Sequence, residues 1–232
     1  MTGAPAPGRV DALDDMAARP TLVEVQLVLG QMHLDRHEPA TALEWFRSAA
    51  RSGDARAFNM LGRCHEKGWG VRPSPATAAR HYRKAAERGD IWALFNLADL
   101  YYRGDGVSQD DAMAYELYAA AARRGHVKSL NMLGLFHESG RAVPTDVGQA
   151  GDFYRAAAEG GDCWGCFNHA RTLIASGEIE VALTWLERAF HTGFSQFYRA
   201  MGEALAELGD PRLSAIAARS LALAEQTAGD MP

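Results

Sequence analysis

Three cysteines, Cys64, Cys163 and Cys166, are too few to build a paired disulfide framework. No stretch approaches the roughly 20 consecutive apolar residues that a bilayer-spanning helix needs. Met1 to about Arg19 opens on Thr, Gly, Ala and Pro and has no basic region ahead of an apolar core, so it does not read as a secretory signal. Its Pro, Gly and Asp content reads instead as a flexible leader, residues 1–19. These absences point to a reducing cytoplasm and away from a membrane. The formal charge of −5 and the lack of a basic stripe on any helix make nucleic acid a poor partner. Also missing are a phosphate-binding Walker loop, a nucleophile elbow, an H-E-x-x-H helix and carboxylates paired in a catalytic frame. Neither an enzyme nor a cofactor or metal site is therefore expected. What remains is a 232-residue chain, 47% hydrophobic and 23% charged, ordinary values for a folded protein.

What is abundant is internal repetition. Gly53, Gly89, Gly125, Gly161 and Gly193 follow one another at intervals of 36, 36, 36 and 32 residues. Seven residues before each stands Phe46, Tyr82, Tyr118, Tyr154 or Leu186, and four residues earlier Ala42, Ala78, Ala114, Ala150 or Ala182. A parallel column reads Leu29-Gly30, Leu61-Gly62, Leu97-Ala98, Leu133-Gly134 and His169-Ala170. Apolar and small residues recur at helical spacing in two segments per repeat, so each repeat is a helical hairpin. Small residues let its helices approach closely, and the aromatic is expected to fill the space between hairpins. Each closing glycine suits the left-handed residue that ends a helix. Ser74-Pro75, Asp110 and Asp146 supply N-caps for the second helices.

These residues resemble the Sel1-like family, a relative of the tetratricopeptide repeats. Residues 91–126 match its pattern best, through Leu97, Tyr101, Gly104, Gly106, Val107, Asp110, Tyr118, Ala121, Ala122 and Gly125. Residues 55–90 and 127–162 match nearly as well, with Ala142 in place of the second loop glycine. The segments 21–54 and 163–194 are shorter and closer to plain tetratricopeptide repeats, and 195–227 reads as a capping hairpin broken at Gly209-Asp210-Pro211. The resemblance implies an all-α, right-handed α-α superhelix of about six hairpins over residues 20–229. It also implies a protein-interaction role without shared chemistry.

In such solenoids the first helix of each hairpin lines a concave groove. The resemblance thereby directs attention to a stripe on the first helices: Arg56, Asn59 and Arg63; Trp92, Asn96 and Asp99 beside Phe95; Lys128 and Asn131 beside Leu135; Trp164, Asn168 and Arg171 beside Phe167. Basic-x-x-Asn alternates with Trp-x-x-Phe-Asn from hairpin to hairpin. Asn is weaker than Ala in a helix interior by roughly half a kcal/mol or more, so four in mid-helix need a reason. One reason is peptide binding, since an amide offers a donor and an acceptor together and Arg, Lys and Trp add carboxylate and aromatic contacts. Related repeat proteins hold peptides with similarly placed residues. The other reason is that each Asn bonds a neighbouring helix and locks the superhelix. The one-residue offset between Asn59/Asn131 and Asn96/Asn168 suggests that only one pair faces the groove.

Two other functions compete. The last helix, Leu213–Ala224, has an apolar face that could dock a partner or a second copy, or pack on the array as a cap. Cys163-Trp164-Gly165-Cys166 spells C-x-x-C at a helix start, where a thiol pKa can fall and support redox chemistry, yet the register puts Cys166 in a core column. Cys163, Cys166 and His169 lack the fourth ligand of a structural zinc site. His33, His65 and His137 share the position of Tyr101 and read as polar replacements for a packed aromatic. Trp69, at a loop tip, is expected to be exposed and available for contact.

Overall fold

The computed structural model describes residues 20–229 of the chain; the leader read at 1–19 lies outside the described residues. Twelve helices and no strand are found among these residues. They pair as six antiparallel hairpins: α1 (Leu22–Asp35) with α2 (Pro39–Ala50), α3 (Ala55–Lys67) with α4 (Pro75–Glu87), α5 (Ile91–Arg103) with α6 (Asp111–Arg123), α7 (Val127–Ser139) with α8 (Val147–Glu159), α9 (Cys163–Ala175) with α10 (Ile179–Ala189), and α11 (Ser195–Ala206) with α12 (Pro211–Gly229). Successive hairpins stack to give a helical solenoid: α2, α4, α6 and α8 each pack on the next first helix, while the last hairpin meets α10 through α12 and α9 through α11.

Local chemistry sets the boundaries. Ser74, Asp110 and Asp146 cap α4, α6 and α8 by accepting a backbone N–H from Thr77, Met113 and Gln149, satisfying amides that a helix start leaves without partners. Gly68, Gly104 and Gly140 end the first helices of the three regular hairpins in the left-handed conformation. Gly53, Gly89, Gly125 and Gly161 also have positive φ, as expected. Gly193 does not; it is needed for space, because a Cβ there would meet the Tyr198 ring at 2.3 Å.

The aromatic column lies between hairpins, as expected: the Tyr118 ring is 6.1 Å from that of Phe136 in the next hairpin, and Tyr82 shares a cluster with Ala93, Leu97 and Leu100. A Cβ on Gly30, Gly62 or Gly134 would lie 2.4 Å from the ring of Phe46, Tyr82 or Tyr154, respectively. Each ring therefore also presses on the small residue of its own hairpin. The tyrosines are fully buried, each worth about 1.5–3 kcal/mol in apolar burial, and their hydroxyls donate within the hairpin: Tyr82 to Glu66 (2.7 Å), Tyr118 to Asp99 (3.2 Å) and Tyr154 to Glu138 (2.6 Å). Trp69 is also corrected. It is half-buried against the Leu61 and Cys64 core, with the Arg63 guanidinium 5.0 Å from its ring centroid.

The C-terminal hairpin closes the array. Leu213, Ile216, Ala217, Ser220 and Ala224 of α12 are buried in the last core cluster or its margin, and Ser220 donates to the Tyr198 carbonyl at 2.6 Å. The apolar face considered for docking is covered by the chain itself.

Candidate partner-binding groove

The first helices α3, α5, α7 and α9 begin at four equivalent positions: Asp54, Asp90, His126 and Asp162. Three are aspartates whose carboxylates accept first-turn amides: Asp54 from Arg56 and Ala57, Asp90 from Ala93 and Asp162 from Gly165. The fourth, His126, makes no side-chain cap to the backbone and instead meets Ser129 Oγ at 2.9 Å. Burial, reinforced by Lys128, pushes the His126 pKa down to about 4, so the ring is neutral near pH 7. Its Nε2 is buried without a hydrogen-bond partner, while Trp92 and Phe95 each pack against it with ring centroids 4.6 Å away.

A groove of about 870 Å³ runs along this row of helix starts. Its walls are the first turns of α5, α7 and α9 and the turns that close α4, α6 and α8, with Arg56 at one end and Phe194 at the other. Of the eleven residues singled out from sequence, Arg56, Trp92, Lys128, Asn131 and Trp164 line it. Trp92 and Phe194 are 54% and 46% exposed, and both exposed aromatic residues among those described lie in this groove. Lys128 Nζ sits 6.0 Å from the centroid of Trp92, and Trp164 packs edge-on to Phe197 at 4.9 Å. Four cations (Arg56, Arg88, Arg124 and Lys128) face two aspartates (Asp90 and Asp162) across the groove. Burial raises the pKa of both aspartates. Arg56 pairs with Asp54 at 2.9 Å. Among the described residues, Arg88, Arg124 and Lys128 make no ion pair within 4.0 Å.

The other six residues are held elsewhere, along the middle of the first helices. Asn96 Nδ2 donates to Asn59 Oδ1 at 2.9 Å, and Asn168 Nδ2 donates to Asn131 Oδ1 at 2.8 Å. The one-residue offset is what lets each pair meet: partners are 37 residues apart in a repeat of 36. Asn59, Asn131 and Asn168 are buried. Arg171 donates to Asn168 (2.9 Å) and to Glu138 (3.1 Å), which also accepts from Tyr154. Arg103 makes the corresponding bridge, joining Glu66 (3.2 Å) and Asp99 (3.0 Å). Burial raises the Asp99 pKa while Arg103 opposes that rise. Arg63 is stacked on Trp69. The asparagines and Arg171 bond from one hairpin to another, as the second reading of the asparagines requires, whereas Arg63 and Asp99 are held within their own hairpins; Asn131 alone belongs to both sets.

Sequence reasoning missed Arg88, Arg124, His126 and Phe194. The first three were available from the same 36-residue columns: Arg88-Gly89 repeats as Arg124-Gly125, and His126 interrupts a column of aspartates.

The C-x-x-C thiols have the wrong surroundings for activation. Cys163 and Cys166 are free and buried; burial pushes Cys163 up to about 11 and raises Cys166 as well. A reactive thiol needs the opposite shift. No group of three or more His, Cys, Asp or Glu side chains suited to a metal ion occurs among the described residues. No helix among them is long and apolar enough to cross a membrane.

Comparison with known proteins follows the same repeats. The Sel1 repeat model matches residues 24–54, 55–90, 93–126 and 127–162. The solved Sel1 repeat protein from Oxalobacter formigenes is 26% identical with a TM-score of 0.73, over 88% of this chain and 87% of that one. The protective antigen c5321 of uropathogenic Escherichia coli is 24% identical with a TM-score of 0.65; the alignment covers 88% of this chain and 46% of that protein. The immunity protein Pa5087 of Pseudomonas aeruginosa shares the fold at 15% identity and a TM-score of 0.62, over 92% and 86% of the two chains. No curated protein sequence matches the chain. With four consecutive repeats spanning more than half of its length, the chain belongs to the Sel1 repeat family.

Proposed function

We propose that this protein is a non-catalytic interaction module that holds an extended segment of a partner polypeptide across the starts of its first helices. Sel1 repeat proteins are generally protein–protein interaction scaffolds. The observation that carries the reading here is the groove itself: about 870 Å³, long enough to touch four hairpins, and containing both exposed aromatics. Large exposed apolar side chains gathered in one concavity are the usual mark of a binding surface. Within it, Arg56, Trp92, Lys128, Asn131 and Trp164 contact the partner. Asn59, Arg63, Asn96, Asp99, Asn168 and Arg171 act indirectly, by fixing the hairpins that present these groups. We assign the protein to the cytoplasm as an accessory or regulatory subunit, which suits three unpaired buried thiols.

The test is affinity capture from the source cell with the full chain, comparing wild type with a Trp92→Ala/Phe194→Ser variant. Both side chains are about half exposed, so helical content and melting should change little. Loss of the captured partner with an unchanged circular dichroism spectrum supports the reading. Undiminished capture by the double variant overturns it.

A further inference from the structure

We propose that the groove selects an acidic segment, in which carboxylates and large apolar side chains alternate about every three residues. This inference rests on the groove reading above and specifies the chemistry of its occupant.

Charge is the first argument. The chain carries a formal charge of −5, yet four cations line the groove, of which only Arg56 is ion-paired, against two carboxylates that are both committed to capping helices. Arg88, Arg124 and Lys128 have no carboxylate within 4.0 Å among the described residues, as noted above. The basic character is local and runs against the composition of the molecule, as expected for complementarity to an anionic partner.

Spacing supplies the second. The position two residues after each cap reads Arg56, Trp92, Lys128, Trp164, so cation and aromatic alternate from hairpin to hairpin. Packed helices lie roughly 8–10 Å apart, and a chain in the extended polyproline II form advances about 3.1 Å per residue and returns to the same face every third residue. One step along the row therefore equals about three residues of a chain laid across it. A carboxylate near Lys128 places an apolar side chain three residues away, at Trp92 on one side or Trp164 on the other.

The α7 helix start gives the third. Where α3, α5 and α9 have an aspartate accepting first-turn amides, α7 has His126, which leaves that acceptor place without a side chain. His126 is only 6% exposed, its Nε2 lacks a partner, and it forms part of the groove wall. The equivalent amide, Ser129 N–H, turns back to the His126 carbonyl at 3.1 Å, so a ligand carboxylate meets the unpartnered His126 Nε2 where the other starts present a carboxylate. It is favoured by the helix dipole and by Lys128 in the same turn.

The experiment is a selection from a library of random 12-residue peptides displayed against the immobilised full chain, followed by affinity measurements on the enriched pool. The expected pool is rich in Asp and Glu and poor in Lys and Arg, with Phe, Trp, Leu or Met three residues from an acid. Its binding should fall about tenfold or more with Lys128→Glu and with His126→Asp, and should weaken as salt is raised from 0.05 to about 0.5 M. The His126→Asp variant gains the cap found in the other hairpins but loses the ring packed on Trp92 and Phe95, so its binding is read below its own melting transition. Lys128→Glu, at an exposed side chain, separates recognition from folding. Enrichment of neutral or basic peptides, or no enrichment over an unrelated protein, overturns the inference. Neutral peptides that are lost with Trp92→Ala/Phe194→Ser but not with the two charge variants overturn it while leaving the groove reading intact. Acidic peptides that bind all three variants as well as wild type are recognised elsewhere on the molecule, and both readings then fall.

Discussion

The same four helices carry two rows of polar side chains, and the rows behave oppositely. At the middle of α3, α5, α7 and α9, asparagines, an arginine and carboxylates are bonded to one another across hairpins and largely withdrawn from water. One turn or so earlier, at the helix starts, Arg56, Trp92 and Lys128 are exposed. The mid-helix row makes the array rigid; the row at the helix starts has groups to spare. Polarity alone does not identify a binding surface in a solenoid, because each helix has a neighbour that can satisfy it. What separates the rows is whether the adjacent repeat already supplies the partner.

The sharpest way to break this contrast is to disturb the middle of a hairpin. Gly62→Val should destabilise by about 3 kcal/mol, since even its Cβ would lie 2.4 Å from the Tyr82 ring; a urea titration that shows no loss would mean the hairpin tolerates a wider separation. His126 tests the helix starts through pH. Its folded pKa, near 4, lies below the ordinary value of 6.5, so the unfolded chain binds the extra proton between those values. Its contribution is complete above pH 6.5 and is lost as pH falls towards 4. Relative to His126→Asn, the wild type should lose on the order of 2 kcal/mol over that window, read from melting curves of both proteins at pH 7 and pH 4.5. Parallel curves would mean that the histidine is not buried as a neutral ring.

Smaller effects sharpen the contrast further. Asn168→Ala should cost about 1–3 kcal/mol, because it leaves Asn131 Oδ1 without its donor and takes an acceptor from Arg171. In a double-mutant cycle, Asn131→Ala and Asn168→Ala should be strongly non-additive, whereas Asn131→Ala and Asn96→Ala should add. At the bottom of the scale, Lys128→Ala should change stability by less than about 0.5 kcal/mol, and a larger loss would place Lys128 in the mid-helix class. Alkylation of Cys163 and Cys166 in the native state should be slower by orders of magnitude than in urea, because both thiols are buried; rapid native labelling would return the C-x-x-C to consideration.

Repetition made the hairpins legible in the sequence. A residue that recurs every 36 positions is under the same steric demand each time, so small and aromatic columns reveal helix contacts directly. The functional residues were less legible for a related reason. Columns compare like with like, while the asparagine bonds join unlike positions, 37 residues apart. Whether Asn96 faced a ligand or Asn59 depended on the rotation of one hairpin against the next, which no single column contains. His126 shows the converse: it stands out only as an exception in its column, and its meaning depends on Trp92 and Phe95 folding over it. Trp69 looked free because it lies between two loop glycines, but Arg63 and the core beneath it had claimed its faces. Gly193 kept its place in the glycine column while serving space rather than chirality.

The asparagine bonds also have a mechanical meaning. They tie α3 to α5 and α7 to α9, and among the described residues no side-chain hydrogen bond ties α5 to α7. The middle of the solenoid is thus two braced blocks meeting at a seam, held on the first-helix side by aromatic contacts such as Tyr102 with Phe136. Trp92 and Lys128 stand on opposite banks of that seam. On its second-helix side the seam is held by Arg141 with Asp111 and by Tyr115 with His137, so any opening between Trp92 and Lys128 pivots about those bonds, on the side away from the asparagine braces.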